Sequence, residues 1–234
     1  MTTTFITGGN FKCTVAPCAD SSAIYYILLP MPMEAAILED LAVRHEASIV
    51  AVEGFDWDDD MTPWPAEGVF PGDATFKGKA AHTLERLRHF VLGRVEAYLG
   101  IPDPVRTLVG VSLSGLFALW QWTQCDLFRN IACISGSFWY DGFAQWFEHH
   151  LLEPKPGTAY FSLGKEEPYT QVKRFQPVAL ATKAVIAHLK DAGIHTIFEW
   201  NNGNHYAPLL PRLERALDAL PARGAVQFRS SAPA

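Results

Sequence analysis

Residues 106–122 read RTLVGVSLSGLFALWQW and change from a strand pattern to a helix pattern within a few positions. The apolar run before Gly110 predicts a buried strand, and the apolar stretch after Gly115 predicts a helix. A serine on a sharp strand-to-helix turn needs small residues two positions before and after it, and Gly110 and Ser114 meet this need. We therefore expect Ser112 to stand above a sheet as a nucleophile, although a serine can also cap a helix.

Short apolar runs alternate with longer helical patterns along the rest of the chain. The runs predicted as strands lie at 11–16, 23–29, 47–54, 106–112, 130–136, 158–164 and 195–201. The patterns predicted as helices lie at roughly 33–45, 78–99, 114–124, 176–192 and 207–220. From about residue 47 onward, the alternation of strand and helix predicts a mostly parallel sheet flanked by helices. The first two strands are predicted to form an antiparallel hairpin at the sheet edge.

The composition is that of a folded globular chain. Hydrophobic residues make up 49% of the 234 residues and charged residues 19%, which is too little charge for a disordered chain. No linker or repeat divides the sequence, so we predict one α/β domain over 1–234, without a large lid and with a flexible tail of about ten residues. The formal net charge is −6 and the longest basic run is the pair at 173–174, so no nucleic-acid partner is expected.

The sequence lacks the marks of secreted, membrane and metal-binding proteins. No positive residue precedes Lys12, and no apolar run approaches the roughly 18 residues of a spanning helix, so we predict a cytoplasmic protein without a membrane partner. The four cysteines lack the paired spacing of a zinc site and are expected to be reduced and mostly buried: Cys13, Cys18, Cys125 and Cys133. The segment Glu148–His150 lacks identifiable further ligands. We therefore predict no metal and no cofactor.

A nucleophilic serine needs a base, because an unassisted hydroxyl is a weak nucleophile at neutral pH. Of the eight histidines, His205 follows predicted strand 195–201 in the polar turn NNGNHY. The carboxyl ends of parallel strands converge on one crevice, and this turn would place an imidazole there. Three other histidines lie within predicted helices and are expected to be surface or packing residues: His82, His89 and His188. His205 is therefore the candidate base.

The third member of a catalytic triad is a carboxylate that orients the imidazole. Predicted strand 158–164 runs directly into the loop KEEP. An acid in this loop gives the chain order serine, acid, histidine, which is the order in α/β-hydrolases. We choose Glu167, which lies far enough along the turn to point back toward the crevice. Glu166 is the alternative, and Asp141 is a more distant one.

An oxyanion formed during acyl transfer needs two hydrogen-bond donors. The backbone N–H of Leu113, directly after the nucleophile, is the expected first donor. The second donor should come from the loop after an earlier strand, and strand 47–54 ends in a glycine that is followed by Phe55. We therefore expect the amides of Leu113 and Phe55 to form the oxyanion hole.

Aromatic residues are concentrated at the predicted strand ends. They are Phe55, Trp57, Trp64, Phe138, Trp139 and Tyr140. Rings at this place suit an apolar acyl or aryl group, although about half of them are expected to complete the core. The candidates for a substrate pocket are Trp57, Trp64, Trp139 and Tyr140. The acidic run at 58–60 lacks the spacing of a calcium loop and is expected to be solvated.

Several segments together resemble a known family, the small esterases of the α/β-hydrolase superfamily related to enterochelin (siderophore) esterases and to esterase D. The segments are GVSLSGLFALW (110–120), CISGSFWYDG (133–142), YFSLGKEE (160–167) and FEWNNGNHY (198–206), with DDDMTPWP (58–65) as a further match. The resemblance implies an α/β-hydrolase fold with Ser112 as nucleophile, His205 as base and Glu167 as acid. The chain departs from the family pattern at Ser114, where glycine is usual.

The residues and the resemblance lead to one functional hypothesis, a serine hydrolase that cleaves a small-molecule carboxylic ester through an acyl-enzyme intermediate. An acyltransferase on the same fold is one alternative, in which an alcohol or a sugar replaces water. A non-catalytic member of the fold that binds an intact ester is the other.

Overall fold

The computed structural model describes residues 3–220 and 222, and within them eight strands form one sheet. The strands of the described residues are β1 (Thr4–Gly8), β2 (Phe11–Ala16), β3 (Ala23–Leu28), β4 (Ser48–Glu53), β5 (Pro65–Ala66), β6 (Phe76–Lys77), β7 (Val105–Val111), β8 (Asn130–Ile134), β9 (Thr158–Gly164) and β10 (His195–Asn201). The large sheet has the order β1-β2-β4-β3-β7-β8-β9-β10, and β5 pairs with β6 in a separate ribbon. The tail predicted at the chain end lies outside the described residues, and the single-domain organisation stays a prediction.

Helices flank the large sheet. They are α1 (Ala35–Arg44), α2 (Trp57–Asp60), α3 (Ala80–Arg86), α4 (Gly93–Leu99), α5 (Leu113–Gln124), α6 (Phe143–His149), α7 (Val178–Asp191) and α8 (Leu209–Ala219). No large lid domain covers the sheet in this part of the chain. No helix of the described residues is long and apolar enough to cross a membrane. The predicted α/β class, a mostly parallel sheet flanked by helices, is therefore confirmed.

The predicted hairpin between strands 11–16 and 23–29 is wrong. Strand β4 lies between β2 and β3, pairing antiparallel with β2 and parallel with β3. The physical reason is burial: every residue of β3 is buried, so this strand takes a central place with a neighbour on each side. The antiparallel edge hairpin is formed by β1 and β2, whose turn at Gly9 and Asn10 has positive φ at both residues.

The core lies on both faces of the sheet. Alternate residues of β3 point to opposite faces, as the twofold repeat of a strand requires. Ile24 and Tyr26 join the cluster covered by α3, α4, α5, α6 and α7, whereas Tyr25 and Ile27 join the cluster covered by α1 and α8. Helix α5 is buried along most of its length and packs against β7 and β8, so the turn before it is held firmly on the sheet.

The long helix predicted at 78–99 is divided into three parts. Helices α3 and α4 flank a π-helical segment at Leu87–Leu92, and α4 ends before Gly100 in the left-handed conformation. The buried residues Leu87, Val91 and Val95 recur every fourth position, which exceeds the 3.6 residues of an α-helical turn. A wider turn keeps these side chains in line against the core. The helices α2 and α6 were not predicted.

The four cysteines are free thiols. Cys13 and Cys133 are buried, whereas Cys18 and Cys125 are half-buried. Burial and the nearby Glu53 carboxylate raise the pKa of the Cys13 thiol to about 12. This thiol is therefore neutral at physiological pH and serves as a small apolar side chain.

The turn between β7 and α5 is the tightest feature near the carboxyl end of the sheet. Ser112 has φ +58° and ψ −121°, a conformation that L-residues rarely adopt. A Cβ atom at Gly110 would lie 2.1 Å from the carbonyl oxygen of Ser114, so only glycine fits there. The Ser114 hydroxyl accepts from the Val111 amide at 2.7 Å and donates to the Leu28 carbonyl at 3.1 Å. Serine is therefore accommodated where the usual pattern has glycine, because its hydroxyl is hydrogen-bonded.

We expect Gly110→Ala to destabilise the protein by about 1–3 kcal/mol, because the added methyl group meets the backbone of the next turn. The free energy of unfolding in urea measures this effect. Gly93→Ala is the matched control: it lies at the start of α4, nothing stands within 4 Å of an added Cβ, and we expect a gain of about 0.5–1 kcal/mol. Equal effects of the two substitutions would contradict the close packing of this turn.

Candidate active site

Three side chains from three different loops meet at the carboxyl end of the sheet. The Nε2 atom of His205 lies 3.1 Å from the Oγ atom of Ser112, and its Nδ1 atom lies 2.9 Å from Oε2 of Glu167. Each distance is that of a hydrogen bond. The structure thus brings together the residues that the sequence analysis chose as nucleophile, base and acid, in the geometry of a serine, histidine and carboxylate relay.

The pairing of β9 with β10 places the acid beside the histidine. These strands are parallel, so the loops that follow them leave the sheet side by side. The Glu166 amide donates to the Gly203 carbonyl at 3.1 Å, and a Cβ atom at Gly164 would lie 2.4 Å from that same oxygen. This close approach of the two loops brings Glu167 within reach of His205.

Glu167 is the buried member of its loop. Its side chain is 3% exposed, and Oε1 accepts hydrogen bonds from the Gly164 amide at 2.7 Å and from the Ser135 hydroxyl. Burial alone would raise its pKa, but the hydrogen bonds from His205, Ser135 and Gly164 outweigh burial and hold the pKa below its usual value. The carboxylate is therefore ionised at neutral pH.

The two alternative acids lie elsewhere. Glu166 is exposed and lines the cavity in front of the triad, and its carboxylate makes no hydrogen bond to His205. Asp141 pairs with the Arg174 guanidinium at 2.9 Å. Glu167 is the carboxylate that contacts the imidazole in this structure.

The two amides expected as oxyanion donors belong to Leu113 and Phe55. Leu113 is the first residue of α5, so its N–H has no carbonyl four residues earlier within the helix, and the residue lines the cavity. Phe55 follows Gly54, whose φ is +97°, and its ring packs on Phe11 with the centroids 4.8 Å apart. Phe55 does not line the cavity, and the role of its amide stays a prediction.

A cavity of about 940 Å³ opens in front of Ser112 and His205. Six aromatic side chains line it, namely Trp57, Phe76, Trp139, Tyr169, Phe175 and Tyr206. Tyr169 and Tyr206 are largely exposed and stand at its rim. Its size is within the range of sites that enclose small organic ligands.

Two of the aromatic residues predicted for the pocket do not line the cavity. Tyr140 is 1% exposed, and its hydroxyl donates to the Trp64 carbonyl at 2.6 Å. The Trp64 indole is stacked with the Phe143 ring, with the centroids 6.1 Å apart, and its N–H donates to the Asp141 carbonyl at 2.9 Å. Both rings form an aromatic layer that packs against α6, because their polar groups find partners there. Trp64 and Tyr140 therefore lie outside the lining of this cavity, whereas Trp57 and Trp139 line it, and the substrate contacts of all four stay a prediction.

The charged groups that line the cavity, apart from the triad, are acidic. Asp58, Asp73 and Glu166 line it, and no lysine or arginine does so among the described residues. Partial burial raises the pKa of Asp58, and the neighbouring carboxylates Asp56 and Asp59 raise it further. The charged side chains that line the cavity, apart from the triad, are therefore negative, and the Arg174 guanidinium stands over two of the lining rings, Phe76 and Trp139.

The acidic run at 58–60 is not a solvated loop as predicted, because Asp59 and Asp60 are buried. Asp59 pairs with Lys77 at 3.0 Å and with Lys79 at 2.9 Å. Burial opposes the ionisation of Asp59, but hydrogen bonds from these lysines outweigh it and lower its pKa to about 2. The Asp59 carboxylate thus fastens the segment after β4 to β6 and its following loop, and Asp60 pairs with Arg86 of α3 at 3.4 Å. Among the described residues, no group of three or more potential ligands could hold a metal ion.

Three residues near the triad were missed by sequence reasoning. The Ser137 hydroxyl lies 3.3 Å from that of Ser112, and Ser135 and Arg212 stand behind Glu167. The serines belong to the triplet SGS at the end of β8, and this cluster of small residues at a strand end was an available signal. The sequence contained no such signal for Arg212, since an arginine on an amphipathic helix normally faces solvent.

Comparisons with known proteins identify a family for this chain. A family model described as "Putative esterase" matches residues 31–205. The uncharacterized protein YbbA of Bacillus subtilis (strain 168) is 29% identical over 153 residues, which are 63% of this chain and 60% of that protein, so the match spans less than two thirds of the relative's length.

Solved structures share the fold at low sequence identity. The siderophore hydrolase EstA from Aspergillus nidulans aligns with a TM-score of 0.68 at 18% identity, covering 93% of each chain. An IroE-like serine hydrolase from Shewanella oneidensis aligns with a TM-score of 0.68 at 13% identity, covering 93% of this chain and 79% of the other. Since the family model covers most of its length, the chain belongs to this esterase family.

Proposed function

We propose that this protein is a serine esterase, a carboxylic ester hydrolase that acts on a small molecule through an acyl-enzyme intermediate. The observation that carries the proposal is the continuous hydrogen-bonded path from Ser112 through His205 to the buried Glu167 carboxylate. Membership of an esterase family and the cavity in front of the serine support it. No cofactor takes part in this chemistry.

The proposed reaction has two stages. Ser112 Oγ attacks the ester carbonyl while His205 Nε2 takes its proton, and the same proton then passes to the departing alcohol. Water next attacks the acyl-enzyme with His205 again as base, which releases the carboxylic acid and restores the serine. Glu167 holds Nδ1 of the imidazole and stabilises its cationic form.

The helix after the nucleophile stabilises the charge that develops on the carbonyl oxygen. The Leu113 amide stands at the N-terminus of α5, where the helix dipole favours negative charge. The Phe55 amide is the proposed second donor, held after Gly54 in its positive-φ conformation. Such donors act in the transition state, since the oxyanion is absent from the bound ester.

The walls of the cavity indicate the class of ester. Aromatic rings offer apolar surface and flat faces, which suit an aryl or alkyl group. The acidic lining of Asp58, Asp73 and Glu166 disfavours anionic substrates by like-charge repulsion. We therefore propose an uncharged or cationic ester with an apolar or aromatic portion.

Replacing the triad carboxylate tests the relay. With 4-nitrophenyl acetate, we expect Glu167→Gln to lower kcat by about 10⁴-fold, because the amide disfavours the productive tautomer of the imidazole. Ser112→Ala should reduce turnover at least as strongly while thermal melting stays close to wild type. Glu166→Gln is the matched control and should change kcat by less than about tenfold, since it keeps the relay intact. An equal loss in both glutamine variants would contradict the assignment of the acid.

A pair of aryl acetates tests the role of the acidic lining. We expect kcat/KM for anionic 4-acetoxybenzoate to be roughly three- to tenfold below that for neutral 4-acetoxybenzamide, the scale set by partly solvated charges. The difference between the two kcat/KM values should become smaller with added salt and in the double variant Asp58→Asn, Asp73→Asn. A preference for the anionic ester, or a gap unaffected by salt and by both substitutions, would overturn the proposed substrate class.

A further inference from the structure

A buried arginine stands behind the triad carboxylate. Arg212 lies on α8, shortly after His205 in the chain, and is 4% exposed. Its Nη2 atom lies 3.5 Å from Oε1 of Glu167 and donates a hydrogen bond to the Ser135 hydroxyl. Its Nη1 atom donates to the His205 carbonyl at 3.4 Å. One guanidinium therefore contacts both the acid and the loop that carries the base.

Ser135 connects this guanidinium to the acid. A hydroxyl has one proton, so a serine that accepts from Arg212 directs its own O–H to Glu167 Oε1. Ser135 has φ +50°, and its amide donates to the Ser162 carbonyl at 2.7 Å. This strained backbone fixes the hydroxyl between the two charged groups.

The placement of Arg212 is costly. Burial lowers the pKa of its guanidinium, which the Glu167 carboxylate opposes, and its Nε atom is buried without a hydrogen-bond partner among the described residues. Arg212 does not line the cavity, so it gains nothing from contact with substrate. The partners that can offset the cost are the triad carboxylate, Ser135 and the His205 carbonyl.

We infer that Arg212, acting through Ser135, is a positioning residue that keeps Glu167 ionised and aimed at Nδ1 of His205. This inference rests on the proposed function, because it assigns Arg212 a role in the same relay. It differs from a role in substrate binding, since Arg212 acts on the far side of the carboxylate from the cavity. Its loss should affect kcat rather than KM.

Four variants test this role by steady-state kinetics between about pH 4 and 9. We expect Arg212→Met and Ser135→Ala to lower kcat by about 10- to 100-fold with KM within about twofold, the scale of a lost hydrogen bond to a charged group. In Arg212→Met the pH below which activity falls should move upward, because the neighbouring cation is gone. In Arg212→Lys the pH below which activity falls should stay close to the wild-type value, because lysine keeps the positive charge. Arg215→Met is the control: Arg215 lies on the same helix and donates to Asn201 Oδ1 at 2.9 Å, and its loss should leave the profile unchanged.

A measurement independent of turnover separates this inference from the proposed function. The carboxyl ¹³C signal of Glu167, assigned by its loss in Glu167→Gln, reports the pKa of this group. We expect that pKa to rise in Arg212→Met, to rise less in Arg212→Lys, and to be unchanged in Arg215→Met. If wild type hydrolyses no ester and this shift is still observed, the esterase proposal fails and the positioning contact stands.

An unchanged Glu167 titration together with an unmoved pH limit in Arg212→Met would overturn the inference. A lower melting temperature of Arg212→Met without either change would mean that Arg212 is a structural residue only. Ser135→Ala keeps the test decisive if Arg212→Met folds poorly, because it removes the hydroxyl that connects Arg212 to Glu167 and leaves the Arg212 charge in place.

Discussion

The candidate site depends on the backbone of Ser112, which holds a positive φ between a buried strand and a buried helix. Such a conformation persists only where the surrounding structure enforces it. Here Gly110 lets the backbone double back. A Cβ atom added at Gly115 would lie 3.0 Å from the Cα atom of Gly136, so the start of α5 packs closely on the segment after β8. The turn therefore raises the hydroxyl above the sheet and aims the N-terminus of α5 at the same point.

The second requirement of the site is a carboxylate that stays ionised while buried. Desolvation raises the pKa of Glu167, and three hydrogen-bond donors outweigh it and hold the pKa below its usual value. They come from the last residue of β9, from the residue after β8 and from the loop after β10, so the parallel order of these strands is what assembles them. The sheet thereby determines the electrostatics of the site as well as its geometry.

Much of this arrangement could be predicted from the sequence, because it depends on local patterns. Apolar runs identified the strands of the large sheet other than β1, and residues that directly follow strands identified Ser112, Glu167 and His205. The order of β2, β4 and β3 could not be predicted in this way, since pairing depends on which strand is buried on both sides. Arg212 escaped notice for a similar reason, because its burial arises only when α8 packs against the sheet.

The cavity lining shows the same limit of local reasoning. Four aromatic residues were assigned to the pocket from their position after strands, and the structure turns two of them, Trp64 and Tyr140, into the layer beneath α6. The polar group of each side chain donates a hydrogen bond to a backbone carbonyl in this layer, which stabilises its buried position. The run at 58–60 was likewise expected to be solvated, and partners distant in sequence, such as Lys79 for Asp59, explain its burial.

The central claim is that Ser112 is an activated nucleophile. Intact mass measured after exposure to a fluorophosphonate tests it directly, because this reagent reports an activated serine without knowledge of the substrate. Ser137→Ala is the matched control, since its hydroxyl lies 3.3 Å from that of Ser112. We expect one adduct on wild type and on Ser137→Ala, and none on Ser112→Ala. An adduct that persists in Ser112→Ala, or no adduct on folded wild type, would contradict it.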